Sequence, residues 1–431
     1  MTTNQRPRAF TRREFVQAGL AMVSTATTVP AFLTRSAYAI NDPNDMPLVK
    51  NRPGIPDDHI LVVVQLSGGN DGLNTVVPFG ARNYYNSRPQ LAIRENDALK
   101  LDDVKGIGLH PNMSSLKGML DDGIANVVMG VGYPNPNRSH FASMDIWHSG
   151  DTLGNRGEGW LGKAIDQHNA SLTRPDPLAC ICLGKKSPLA VNGKASRPIT
   201  FERISQLQWA GADLHPVLAE QYDDINRAGV LADGNVDQSQ AAFVMRTALD
   251  AQIAPERIEK ALGTRPLTAF PGGQLANQLR TVAAMIRAEL PTRVYYVALG
   301  GFDNHANQAN LHGNLLRQFA DGVAAFYKEL AAMGHDKRVL TMAFSEFGRR
   351  VTQNAARGTD HGTAGPMFLF GDMVNPGMLG KYPSLTKLDK DDLIYNLDFR
   401  SVYTAILQDW MKVDAKTVLG KPFKPANVLR V

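Results

Sequence analysis

Several stretches of this 431-residue sequence repeat one pattern, in which an apolar run breaks at glycine or a polar turn and a carboxylate or imidazole follows at once. Asp71 follows Ser67-Gly68-Gly69-Asn70, and His140 follows Arg138-Ser139. Asp303 and His305 follow Gly300-Gly301, and Glu346 follows Ser345. Asp360-His361 stands in a loop directly before a further apolar run. Carboxylates and imidazoles together make a borderline-hard donor set that suits zinc, manganese or iron(II). A divalent ion there can polarise an ester oxygen and lower the pKa of a bound nucleophile. Ser139 falls at the start of a predicted helix, where free backbone amides favour an anionic group. It is either a nucleophile or an N-cap. Arg138 and Arg349 can pair with an anion through bidentate contacts, and His140 lies beside Ser139. Taken singly, each Asp reads as a cap or turn former and each His as a hydrogen-bonded residue. Repetition of the pattern is what favours a metal site.

The elements that must position these groups are strands. His59–Leu66, Ala125–Val131, Val294–Leu299 and Val339–Phe344 are short continuous apolar runs of the buried parallel type, and Met367–Phe370 is a further strand. Between them lie helical patterns over Met113–Gly123, Ser139–His148, Gln274–Leu290, Leu311–Met333 and Phe399–Trp410. Strand–helix alternation on this scale predicts a three-layer α/β/α sandwich around a mostly parallel central sheet. Such sheets keep their ligand sites beyond the carboxyl ends of the strands. From a short strand at Cys180–Leu183 to Leu290 the pattern turns polar and helical, with segments at Gln238–Leu249 and Pro255–Leu262. This predicts a helical insertion over about 184–290. Gly184-Lys185-Lys186-Ser187 is not a phosphate-binding loop, because Ala179 stands where the first glycine is required.

With 43% hydrophobic and 20% charged residues, the composition is that of a globular protein with ample core. Residues 1–39 hold five arginines against Glu14 alone, a net of +4 in a chain of net +5. The remainder is close to neutral, which gives no reason to expect a nucleic-acid partner. Thr11-Arg12-Arg13-Glu14-Phe15-Val16, the mildly apolar Ala18–Leu33 and Ala37-Tyr38-Ala39 form the pattern of a twin-arginine signal peptide cleaved near Ala39. The apolar stretch is too short and too polar to span a bilayer stably. The expectation is a periplasmic or secreted protein that meets the twin-arginine translocase during export. An irregular lead-in follows over residues 40–58, and one α/β domain over 59–431. Cys180 and Cys182 are the only cysteines. They read as a buried thiol pair, with a redox pair or metal site as alternatives.

VVVQLSGGNDGLNTVVP, NRSHFASMDIWHSG, GGFDNHANQ, SEFGRR and TDHGTAGP, behind the twin-arginine leader, resemble family 1501 of the "domain of unknown function" series. That family is distantly similar to sulfatases and alkaline phosphatases, and the resemblance covers nearly the whole mature chain. It implies an alkaline-phosphatase-like α/β/α fold. It also implies metal ligands at Asp71, Asp303, Glu346 and His361 and Ser139 as nucleophile, with His305 or His140 as the further candidate ligand. There are two departures: His305 follows Asp303 after one residue rather than three, and Phe347 stands where the superfamily has an imidazole. The implied protein is an exported hydrolase of phosphate or sulfate esters using one or two divalent ions, zinc or manganese. Its substrate would be an anionic ester, a small molecule or one linked to a glycan or lipid. The alternative is a non-catalytic exported binding or assembly protein that keeps the fold.

Overall fold

The computed structural model describes residues 55–101, 104–153, 157–171, 176, 178–203 and 257–430. Residues 1–54, with the expected signal peptide and most of the lead-in, lie outside the described residues, as does the expected helix Gln238–Leu249. Among the described residues no helix is long and apolar enough to cross a membrane.

The main sheet contains β1 (Ile60–Leu66), β2 (Ala125–Gly132), β3 (Cys180–Leu183), β4 (Ile199–Phe201), β5 (Val294–Leu299), β6 (Val339–Phe344), β7 (Gly365–Phe370), β8 (Gly377–Leu379) and β9 (Leu397–Asp398). Its order is β8-β2-β7-β6-β1-β5-β3-β4, with β9 also on β2. β1 lies at the centre and pairs in parallel with β5 and β6, and β5 pairs in parallel with β3. β7 runs antiparallel to both β2 and β6. The mostly parallel α/β sandwich follows from strands that are apolar on both faces.

Side chains alternate along β1, so Ile60, Val62 and Val64 enter one core while Leu61 and Val63 enter the other. The first core is covered by α1 (Ser114–Asp121), α4 (Gln274–Arg287) and α5 (Gln308–Met333), through residues such as Leu116, Leu279 and Phe319. The second is covered by α2 (His140–Ser149), α3 (Trp160–Ala170) and α6 (Phe399–Ala405), through Trp147, Trp160 and Tyr403. Three layers result.

Elements of the main layers fall within the stretch expected as a helical insertion, 184–290. β4 is the edge strand of the main sheet, and α4 lies in the first helical layer against α5. α4 is amphipathic because it is a crossover helix with one buried face, including Leu275, Leu279, Val282 and Ile286. Cys180 and Cys182 are buried free thiols side by side on β3, and burial pushes the Cys180 thiol well above its ordinary pKa. That environment disfavours the reactive thiolate at Cys180.

Candidate metal centre

The strand exits meet at one edge of the sheet. β1 leaves through Ser67–Asp71, β2 through Tyr133–His140, β5 through Gly300–His305 and β6 through Ser345–Arg349. Because β7 is antiparallel to its neighbours, its beginning, not its end, lies at this edge, and the loop before it delivers Asp360 and His361 to the same place. The exits are packed tightly. Gly68 sits at φ +120°, and a Cβ on it would lie 2.5 Å from the Asp303 amide nitrogen, so only glycine lets the β1 and β5 turns cross here.

His140, Asp303 and His361 each offer a ligand atom, and these atoms lie within 4.8 Å of one another. His305 lies against two of the three, with Nε2 2.8 Å from Asp303 Oδ1 and 3.0 Å from His361 Nε2. His361 Nε2 is 3.1 Å from Asp303 Oδ1, and His140 Nε2 is 3.5 Å from Asp303 Oδ2. An Asp303–imidazole cluster is therefore assembled from β2, β5 and the β7 entry.

The other nitrogen of each ring fixes its tautomer. His140 Nδ1 is 2.9 Å from Glu346 Oε1, His361 Nδ1 is 2.8 Å from the Arg138 carbonyl, and His305 Nδ1 is 3.3 Å from Asp360 Oδ1. Carboxylate and carbonyl oxygens only accept, so each Nδ1 carries a proton, and in its neutral form each ring turns an Nε2 lone pair towards Asp303. Lone pairs facing a carboxylate repel unless a positive centre lies among them. His140 Nε2 is moreover buried without a hydrogen-bond partner among the described residues. An imidazole whose far nitrogen is held by a carboxylate or carbonyl is the usual arrangement behind a metal ligand. Three imidazoles and a carboxylate are a donor set for zinc. The residues present fit a divalent ion.

Asp303 remains ionised. Burial pushes its carboxyl up, but the Arg349 guanidinium, which donates to Oδ1 at 2.7 Å, outweighs this, and the carboxyl titrates at about 2. Phe347 is buried with its ring centre 5.0 Å from that of His140 and 4.8 Å from that of His361. The aromatic residue noted in the sequence thus supports both imidazoles as an apolar wall and offers no ligand.

Other expected site residues take different places. Asp71 does not join the cluster. It is buried against Arg88, whose Nη1 donates to Oδ2 at 2.6 Å, and Gln308 donates to the same oxygen. Burial would raise its carboxyl, yet Arg88 holds it below the usual carboxylate range. Glu346 stands one step back from the cluster. Its Oε1 accepts from the Gly68 amide at 2.9 Å as well as from His140, and its Oε2 accepts from Ser345 Oγ at 3.0 Å. Arg138 is engaged by Asp392 and contributes its carbonyl to His361. Arg349 is buried and donates to the carbonyls of Gly68, Gly69, Phe302 and Thr359 in addition to Asp303. The Arg349 guanidinium is thus not free to receive an anion, whereas Arg138 is paired through Nη2 alone and its side chain is 36% exposed. Ser139 is exposed at the N-cap of α2, where its side chain makes no capping bond.

Arg88, Gln308 and Asp392 were invisible as partners, because they lie 17, 237 and 254 residues from the groups they hold. The Asp71–Arg88 pair predicts a separation of stability from metal binding. Arg88→Met leaves a buried carboxylate without its counter-charge and is expected to cost about 3–5 kcal/mol, read by denaturant titration. Zinc retention by the folded fraction is expected to stay unchanged.

A family profile described as "Protein of unknown function (DUF1501)" matches residues 58–419. No curated protein matches the chain. Among solved structures, a protein in the alkaline phosphatase superfamily from Vibrio parahaemolyticus is 9% identical with a TM-score of 0.36, the match covering 85% of this chain and 71% of that one. The zinc complex of the C-terminal periplasmic domain of EcEptC from Escherichia coli is 11% identical with a TM-score of 0.33, covering 74% and 73%. The alkaline phosphatase of the Antarctic bacterium TAB5 is 10% identical with a TM-score of 0.29, covering 73% and 92%. Likenesses this low transfer neither activity nor ligand.

Proposed function

The chain belongs to the family described as "Protein of unknown function (DUF1501)", so its chemistry has to come from its own site, and we propose that it is an exported hydrolase of phosphate or sulfate esters working with a divalent metal ion. The observation that carries this reading is the set of Nε2 atoms of His140, His305 and His361 turned on Asp303, with every Nδ1 engaged by an acceptor. Zinc suits that set best, and manganese is the second candidate. Glu346 and Asp360 orient His140 and His305, Arg349 holds Asp303, and Phe347 backs two of the rings.

When bound, the ion would polarise a non-bridging oxygen of the ester. Ser139, exposed and uncapped, lies one residue before His140 at the start of α2, where first-turn amides attract an anion. Its Oγ would form the bond to phosphorus or sulfur as the ester's alcohol leaves with the serine proton. Water would then cleave the seryl ester. Export by the twin-arginine route, with cleavage near Ala39, would place the enzyme in the periplasm or outside the cell.

The burial and full engagement of Arg349 favours a second reading, a binding or assembly protein that keeps the site without turnover. One experiment separates the two. Folded protein lacking residues 1–39 is loaded with zinc or manganese and given chromogenic aryl phosphate and aryl sulfate. Turnover that falls by orders of magnitude in Ser139→Ala, with metal content unchanged, is the expected result. Metal-loaded protein without turnover on either ester leaves the second reading in place.

A further inference from the structure

We infer that the site holds a single divalent ion, and that the buried guanidinium of Arg349 is a fixed positive charge on the flank of Asp303 that a second ion would need. The inference rests on the metal-dependent reading above and concerns the number of ions, which the sequence left at one or two. Around the sheet edge lie more acidic and imidazole groups than one ion requires, so the question is which of them are free. His140, Asp303 and His361 converge, and His305 joins them through its 2.8 Å approach to Asp303. Three converging ligands, with His305 beside them as the fourth candidate, match the four positions of an ordinary zinc site.

Each of the remaining carboxylates is already engaged through at least one oxygen. Asp71 Oδ2 receives Arg88 and Gln308. Glu346 receives the Gly68 amide and His140 on one oxygen and Ser345 on the other. Asp360 Oδ1 receives His305 at 3.3 Å and Asn354 at 3.2 Å. Asp71 keeps one oxygen, Oδ1, without a partner, and a lone oxygen beside a guanidinium does not make a second site.

Arg349 closes the other side. Its side chain is 1% exposed, its Nε donates to Gly69 at 2.8 Å, and its Nη1 donates to Thr359 at 2.7 Å. Its Nη2 reaches Asp303 Oδ1, and Nη1 stands 3.5 Å from His305 Nε2. Anchored to the exits of β1, β5 and the β7 loop, the guanidinium cannot swing away. It therefore repels any cation that approaches Asp303 from that side. Arg349 acts on the site through this fixed charge.

The test is a count. Metal-free protein is saturated with zinc, freed of excess by gel filtration, and measured by elemental analysis and native mass spectrometry. One equivalent is expected. Two equivalents overturn this inference and leave the metal reading intact, whereas none overturns both. Arg349→Met, confirmed as folded by circular dichroism, is expected to bind zinc at least about tenfold more tightly in competition with a chromogenic chelator, because a like charge beside the ion is removed. Arg349→Lys, which keeps the charge, is expected to stay near wild type. Unchanged or weaker binding in a folded Arg349→Met protein overturns the role given to the charge. Where that variant fails to fold, the wild-type stoichiometry decides.

Discussion

Asp303→Ala is expected to release the divalent ion while leaving the fold in place. Asp303 is the one carboxylate on which the Nε2 atoms of His140, His305 and His361 converge, and it is the only anionic ligand of the cluster. Its removal leaves three neutral imidazoles beside the Arg349 guanidinium, an arrangement with no negative charge to hold a dication. Loss of a partner that merely orients a metal-bound histidine costs about 10–100-fold in affinity, so loss of this ligand is expected to exceed that range, on the order of 10³-fold. Glu346→Gln, which weakens the grip on His140 Nδ1, is expected to fall inside it. Stability should respond little to Asp303→Ala. The Asp303 side chain is 47% exposed, and a solvent-screened ion pair contributes about 0–1 kcal/mol. Arg349, though buried, keeps its bonds to backbone carbonyls. Chelator competition measures affinity and thermal melting measures stability. Zinc retained at wild-type affinity by Asp303→Ala would remove the basis for a metal centre here.

How much of this could be read from sequence depends on whether a feature is local. The buried parallel strands are legible because a strand covered on both faces has to be apolar throughout, as His59–Leu66 and Val339–Phe344 are. A polar group immediately after such a run must emerge at the sheet edge, so Asp303, His305 and Glu346 could be placed by neighbourhood alone. His361 precedes its strand, and only the antiparallel course of β7 brings it to the same edge. That reversal is a property of long-range pairing, and a six-residue apolar strand carries no sign of it.

The roles within the site were less legible than the places. Asp71 and Asp303 look alike as strand-exit carboxylates. Each has a buried arginine, but Asp71 is itself buried with Arg88 and Gln308 on one oxygen, whereas Asp303 is 47% exposed and faces imidazoles. Arg138 and Arg349 looked like anion receptors, and their engagement by Asp392 and by carbonyls of separate loops depends on chain crossings that spacing does not encode. His140, read as a companion of Ser139, is drawn into the cluster because Glu346 takes its Nδ1. The edge strand β4 was missed, since Ile-Thr-Phe is too short a run to stand out among polar neighbours.

A second large effect is expected in acid, from histidines that lie outside the cluster. His110, His168 and His312 are buried, and burial depresses each to about 4, while burial depresses His148 to about 3. Their hydrogen bonds suit the neutral ring. His110 Nδ1 accepts from the Asn112 amide at 3.0 Å, and His168 Nδ1 accepts from the Ile55 amide at 3.2 Å. In the unfolded chain these groups titrate near 6.5, so as pH falls below that value the unfolded state takes up protons before the folded state does. Stability is therefore fully present above about 6.5 and is lost as pH falls towards 4. Depressions of this size correspond to at most about 3–5 kcal/mol per histidine. A few such groups acting together rival the roughly 5–15 kcal/mol that holds a domain folded. The expected result is a melting temperature that is flat from pH 8 to about 7 and drops steeply by pH 5, with or without metal. His312→Gln keeps a donor for Asn70 Oδ1, which His312 Nε2 reaches at 2.9 Å, and removes one titrating ring. It should flatten the acid limb measurably in protein that still folds at neutral pH. A melting temperature unchanged between pH 7 and 4.5 would mean that these rings are hydrated or able to charge in place, contrary to their burial.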